Sequence, residues 1–221
     1  LTLSEILKEA ENPNFTADAL AKIILKDPAM TGRILKVANS SFYSRASSIK
    51  TVNQAVQLLG VNTVKCLALS TSIFRPEKIT KETGVDAKQL FSSFLTIATG
   101  SERVAREAGH KHPEEAFVAG LLHDIGVIYL LEYFPREYRR MLEHKTKATT
   151  MTDAEKEIFG IDHTEIGYHL TTRWRLPEYV CNAVRSHHQF LTIDDIDMMG
   201  RCVLLSSLIA PEALSTYAED L

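Results

Sequence analysis

Apolar residues recur along this 221-residue chain at steps of three and four, the period of a helix buried on one face. The strict alternation of a half-buried strand is scarce. Met30, Ile34, Val37 and Ala38 form one such stripe, which predicts a helix after the turn-forming pair Asp27-Pro28 and before the polar run Asn39-Ser40-Ser41. Upstream, Thr2 with Glu5 predicts a capped first helix to Ala10, and Thr16 opens a second that ends near Lys26. Ser47-Ser48-Ile49 leads into a short helix at Val52–Leu59, closed by Gly60, and residues 61–74 supply the next.

The stretch 75–84, with Pro76, Gly84 and several charges, is where the pattern breaks and a boundary is expected. A long helix is expected over 85–108. Pro113, Thr152 with Glu155, Asp162 with Glu165, and Pro177 mark four further helix starts. The expected class is all-α, a multi-helix bundle formed as one domain over 1–221. Within it, residues 1–75 make an additional N-terminal helical subdomain and residues 85–210 a second helical subdomain.

Composition narrows the setting. A hydrophobic content of 45% is ample for a buried core without covalent staples. Cys66, Cys181 and Cys202 are odd in number and far apart, with no C-x-x-C pair, so a reducing, cytoplasmic location is expected. A net charge of −3 with acids and bases interspersed offers no broad positive field, and nucleic acid is not an expected partner. No uninterrupted apolar run approaches the roughly 20 residues that a spanning helix needs, so no membrane association is expected. The basic run 136–147, interrupted by Glu137 and Glu143, reads as a solvated helix face.

Candidate chemistry lies in Gly120-Leu121-Leu122-His123-Asp124-Ile125-Gly126, which sets an imidazole beside a carboxylate on an apolar helix. Such groups are costly to bury unless something satisfies them. Adjacent residues on a helix point about 100° apart, so His123 and Asp124 share an ion only if other helices add ligands. Three further donors follow downstream: His163, His187 and His188. The sequence fixes no cofactor, but this nitrogen and oxygen donor set suits a transition metal, Fe, Mn, Zn or Ni, more than calcium or magnesium. Against that stands the reading of these histidines as helix-end or hydrogen-bonded core residues. Phe117 and Trp174 read as core.

His123-Asp124 with Ile125-Gly126, Ser101-Glu102-Arg103-Val104-Ala105 one helix upstream and His187-His188 downstream, resembles the HD superfamily of metal-dependent phosphohydrolases. The N-terminal half is similar to one degenerate branch of it, the HD-related output domain or HDOD family. Its pattern is carried by Asp27-Pro28-Ala29-Met30, by Ile34-Leu35-Lys36-Val37-Ala38-Asn39-Ser40-Ser41-Phe42-Tyr43, and by Ala55-Val56-Gln57-Leu58-Leu59-Gly60. His163-Thr164-Glu165-Ile166-Gly167 and Trp174-Arg175-Leu176-Pro177 continue it.

The resemblance implies an HD-like core in the second subdomain. It also implies a bacterial signal-transduction output or scaffold domain whose partners are receiver, kinase or cyclic-dinucleotide enzyme domains. Position by position, Gly100 stands where active HD enzymes place a histidine ligand, Ser207 where they place an aspartate, and Val127 where a lysine is frequent. Gln189-Phe190-Leu191 replaces the Gly-Tyr-Pro loop of the cyclic-dinucleotide branch. No catalytic residue is assigned, and hydrolysis of a nucleotide or cyclic dinucleotide is the alternative reading. A sensor that binds metal or a ligand in the remaining pocket is a third.

Overall fold

Among the described residues every regular element is an α-helix, as the three- and four-residue apolar period predicts. The structure, a computed structural model, describes residues 2–10, 16–39, 48–144, 150–188 and 197–209. Ser40, Ser41, Phe42, Tyr43 and Gln189-Phe190-Leu191, singled out in the sequence, lie outside them. The chain falls into two compact units that divide between Phe74 and Arg75.

The first unit contains α1 (Thr2–Ala10), α2 (Ala17–Ile24), α3 (Pro28–Ala38), α4 (Val52–Leu59) and α5 (Val61–Ile73). Thr16 caps α2 as expected, accepting from the Ala19 amide at 3.2 Å. Asp27-Pro28 does more than turn the chain. The Asp27 carboxylate accepts from the Ala29 and Met30 amides at 2.9 and 3.0 Å, and Pro28 occupies the first turn of α3, where its missing N–H is harmless. Leu20, Ile24, Met30, Ile34 and Leu67 are fully buried and form the core. Asn39 acts as a clamp: its amide donates to the Leu35 and Ile49 carbonyls at 2.9 and 2.7 Å and accepts from the Ile49 amide at 2.8 Å.

The second unit contains α6 (Pro76–Thr83), α7 (Ala87–Glu107), α8 (Pro113–Leu122), α9 (Ile125–Tyr133), α10 (Pro135–His144), α11 (Met151–Phe159), α12 (His163–Arg173), α13 (Glu178–Ser186) and α14 (Met198–Ile209). The stretch read as a boundary is thus largely helix α6. It is tied to α9 by fully buried Glu132, which pairs with Lys78 at 2.9 Å and with Arg75.

Helix α7 packs along α8 and α14 through Ile97, Ala105, Ala116, Ala119 and Val203. Helix α11 is capped by Thr150, which accepts from the Asp153 amide at 3.1 Å, not by Thr152. That register leaves Glu155 facing inward. By length and mean composition the stretch Pro113–Tyr133 could span a bilayer, although charged residues interrupt it, and 89% of its apolar window is buried within the fold. Cys66, Cys181 and Cys202 are buried and unbridged.

Candidate metal centre

His123 and Asp124 do not sit within one helix, as the sequence reading had them, but at the break between α8 and α9. His123 keeps helical geometry (φ −51°, ψ −40°) while Asp124 leaves it (φ −102°, ψ 26°). The break lets one carboxylate face two helices from later in the chain. Gly126 brings the first of these close, because a Cβ there would overlap the His163 carbonyl group and lie 3.0 Å from the Gly167 amide nitrogen. Hydrogen takes the place of a side chain, and α9 and α12 meet backbone to backbone.

Helix α12 starts at His163 for a local reason. Asp162 accepts from the Thr164 and Glu165 amides at 2.9 and 3.0 Å and from the Thr164 hydroxyl at 2.7 Å, and pairs with Lys156 at 2.9 Å. Burial opposes the charge of Asp162, but Lys156, Thr164 and the Glu165 amide outweigh it and hold the carboxyl at about 2. Glu155 completes the turn: one of its oxygens accepts from the His163 amide at 2.8 Å and from His163 Nδ1 at 2.6 Å. From the end of α13, His187 Nδ1 donates to the Val184 carbonyl at 2.8 Å, and His123 Nδ1 donates to the Gly120 carbonyl at 2.7 Å.

A carbonyl accepts and cannot donate, so these Nδ1 atoms carry a proton and the Nε2 atoms face inward, as lone pairs wherever the ring is neutral. Those lone pairs converge on a carboxylate. Asp124 Oδ1 lies 3.2 Å from His187 Nε2 and 3.4 Å from His163 Nε2, while Oδ2 lies 3.2 Å from His123 Nε2. His163 Nε2 is in turn 3.4 Å from His187 Nε2 and 3.1 Å from His188 Nε2.

Acceptors facing acceptors need positive charge between them, from protons or from a cation. Burial works against the Asp124 charge, yet His123, His187 and His163 hold its carboxyl well below the usual range. For His163, burial disfavours the imidazolium but Glu155 and Asp124 prevail and raise its pKa. Burial lowers His187, and the neighbouring rings add to the effect.

Donor atoms of Asp124, His163, His187 and His188 all lie within 4.8 Å of one another. A tetrahedral site with bonds of 2.0–2.1 Å has edges of about 3.3 Å, which four of the six separations among these atoms match at 3.1–3.4 Å. Nδ1 of His163 is held by a carboxylate and that of His187 by a carbonyl, the outer-shell pattern that fixes metal-bound imidazoles. The residues therefore fit one divalent transition metal. His123 is not in the four-donor group and instead takes the other oxygen of Asp124.

Gly100 and Ser207 bring no donor to this group. A Cβ at Gly100 would run into Ser206, whose hydroxyl donates to the Ile97 carbonyl at 3.0 Å, and the Ser207 hydroxyl donates to Leu204 at 2.7 Å. Beside the cluster opens a cavity of about 170 Å³ lined by Asp124, Val127, Tyr138, Met151, Glu155, His163 and His188. Sequence reasoning missed both Glu155 and Tyr138. Tyr138 stands with Met141 and Leu142 on a three- and four-residue stripe inside the charged run, a signal that was there to read. Glu155 carried no such mark, since it was taken as the capping partner of Thr152.

A helical core built on a His-Asp break, with histidines converging from two later helices, defines an HD-like domain. The HDOD domain profile matches residues 2–190, and the chain belongs to that family. An HDOD domain protein of unknown function from Geobacter sulfurreducens superposes with a TM-score of 0.67 at 23% identity, covering 99% of this chain and 73% of that one. The MmoQ response regulator from Methylococcus capsulatus (Bath) is 30% identical, with a TM-score of 0.55 over 99% of this chain and 87% of its own. An uncharacterised Treponema pallidum (strain Nichols) protein is 26% identical over 188 residues, 84% of this chain. The chain spans 36% of that relative's length.

Proposed function

We propose that the chain is a non-catalytic signal-output domain that holds one divalent transition metal at Asp124, His163, His187 and His188 and acts through contacts with signalling proteins. Receiver, kinase or cyclic-dinucleotide enzyme domains are the partners this reading expects. Kinship with a response regulator supports the signalling part.

The observation that carries the non-catalytic part is Val127. It forms a wall of the cavity beside the donor cluster, where a phosphoester would need a cationic side chain to neutralise it. When bound, a metal of this class supplies Lewis acidity and can activate water. What the chain itself supplies is a seat of three buried donors and the exposed His188: Glu155 and Val184 orient two imidazoles, and Asp124 offers the charge.

Calorimetric titration of the chelator-stripped protein with Mn²⁺, Fe²⁺, Zn²⁺ and Ni²⁺ tests the seat. One equivalent is expected to bind, and Asp124→Ala to abolish it. A phosphodiesterase assay of the loaded protein tests the rest. Turnover that disappears in Asp124→Ala would establish the hydrolase reading instead.

A further inference from the structure

Helix α10 turns Tyr138, Met141 and Leu142 into the core and leaves Arg136, Arg139 and Arg140 exposed. These three arginines and Glu143, with Glu82 of α6, line a half-open cavity of about 450 Å³. A run of charge along a helix is ordinarily a solvated face. The cavity, and the way its charges are paired, set this one apart. Arg139 is occupied, donating from Nε to Glu143 at 3.0 Å. The guanidinium groups of Arg136 and Arg140 meet no carboxylate among the described residues, and Glu82 meets no cation there. Arg136 and Arg140 stand one turn apart on α10, where like charges repel unless an anion lies between them.

Two guanidinium forks on one helical turn suit the several oxygens of a phosphate. The carboxylates of the same lining repel a bare anion, but they accept hydrogen bonds, so a ligand that suits the whole lining carries donors beside its phosphate. Every described residue of the lining is charged, and no aromatic or apolar side chain is among them. A nucleobase needs a ring to stack on and a lipid chain needs an apolar wall, which leaves hydroxyls as the donors. A volume of about 450 Å³ holds about fifteen water-sized groups, close to the number of non-hydrogen atoms in a hexose monophosphate.

We infer that the cavity between α6 and α10 binds a phosphorylated sugar, its phosphate held by Arg136 and Arg140 and its hydroxyls donating to Glu82 and Glu143. The site lies apart from the histidine cluster and does not depend on the metal reading. Helix α10 borders both places, since its Tyr138 lines the cavity beside Asp124.

The experiment titrates glucose-6-phosphate, fructose-6-phosphate, ribose-5-phosphate, glucose, inorganic phosphate and GMP into the chelator-treated full chain by calorimetry. Low ionic strength is used, because exposed charges are then least screened. At least one of the sugar phosphates is expected to bind at one equivalent, with glucose, inorganic phosphate and GMP each weaker by about tenfold or more. Arg140→Gln removes one fork and is expected to cost about tenfold in affinity for that sugar phosphate. Its urea midpoint is expected to stay unchanged, since the side chain has no ion pair among the described residues to lose. Glu82→Gln removes both a repulsion and an acceptor, and is expected to narrow the gap between sugar phosphate and inorganic phosphate. Absence of binding by all the sugar phosphates overturns the inference. So does inorganic phosphate binding as tightly as the best of them, which would make the arginines an unspecific anion site. Tighter binding of GMP, full affinity in Arg140→Gln, or an unchanged gap in Glu82→Gln also overturns it. Metal is absent throughout, so each of these results leaves the reading of the donor cluster untouched.

Discussion

The two units share a helical period and differ in what their cores hold. In the first, the buried polar side chains among the described residues are the hydroxyls of Thr63, Ser70 and Thr71, and the last two donate to the Leu67 carbonyl on their own helix at 3.0 and 2.8 Å. In the second lie all the described carboxylates and imidazoles that are buried, among them Glu102, Asp124, Glu132, Glu155, His163 and His187. Hydroxyls returned to their own helix ask nothing of the rest of the fold. Buried charges ask for partners, and the second unit supplies them from other helices: Lys78 for Glu132, Lys156 for Asp162, and the histidines for Asp124. Charge in a core is stability given up unless it serves a site. The contrast therefore places the candidate site in the second unit.

The sharpest way to break this comparison uses a glycine from each unit. Gly32 lies in α3 with nothing within 4 Å of where a Cβ would be, and Gly32→Ala is expected to stabilise the protein by about 1 kcal/mol through helix propensity. Gly126 lies where a Cβ would meet the His163 carbonyl, its carbon 2.8 Å away, and no flexible side chain can give way. Gly126→Ala is expected to cost about 3 kcal/mol by forcing α9 and α12 apart. Urea unfolding of both variants measures this. Equal shifts would mean that the α9–α12 crossing is not what holds the centre together.

This pair also shows how much the sequence revealed. Helices were legible wherever a stripe met a capping residue, as at Thr16, Asp162 and Pro113, because those signals act within one turn. Four of the five metal candidates do converge, since Asp124, His163, His187 and His188 sat in motifs at helix ends. His123 stands outside that group, because the helix break sends its ring to the far oxygen of Asp124. The role of Glu155 was illegible: it meets His163 eight residues away across a helix-to-helix turn, a separation with no periodic signature. Thr150 rather than Thr152 as the cap of α11 decided which way that carboxylate faced.

Glu155 gives the next test of the contrast, because it serves both the fold and the site. Glu155→Gln keeps the volume and removes the charge that holds His163 through its amide and ring. The expected loss is about 2 kcal/mol of stability. Metal affinity is expected to fall about 10- to 100-fold, the usual effect of removing an outer partner of a ligating histidine. Thermal unfolding and calorimetry on the same preparation separate the two. Lost stability with metal affinity unchanged would make Glu155 a structural cap alone, and would return His163 to the same standing as the hydroxyls of the first unit.

The smallest effect compares two caps of one chemical type. Asp27 caps α3 through two backbone amides, and its loss in Asp27→Ala is expected to cost about 1 kcal/mol. Asp162 caps α12 through two amides, the Thr164 hydroxyl and Lys156, so Asp162→Ala is expected to cost about 2 kcal/mol. The pH dependence identifies the extra part. Because the folded carboxyl is held at about 2, below its unfolded value near 3.9, the folded state favours the charged form. Its contribution is whole above pH ~4 and fades as the pH falls toward ~2. Urea midpoints of wild type and Asp162→Ala should therefore converge across that window. A deficit that persists unchanged at pH ~2 would show that Asp162 acts by shape, with its charge and Lys156 contributing nothing to the start of the helix that carries His163.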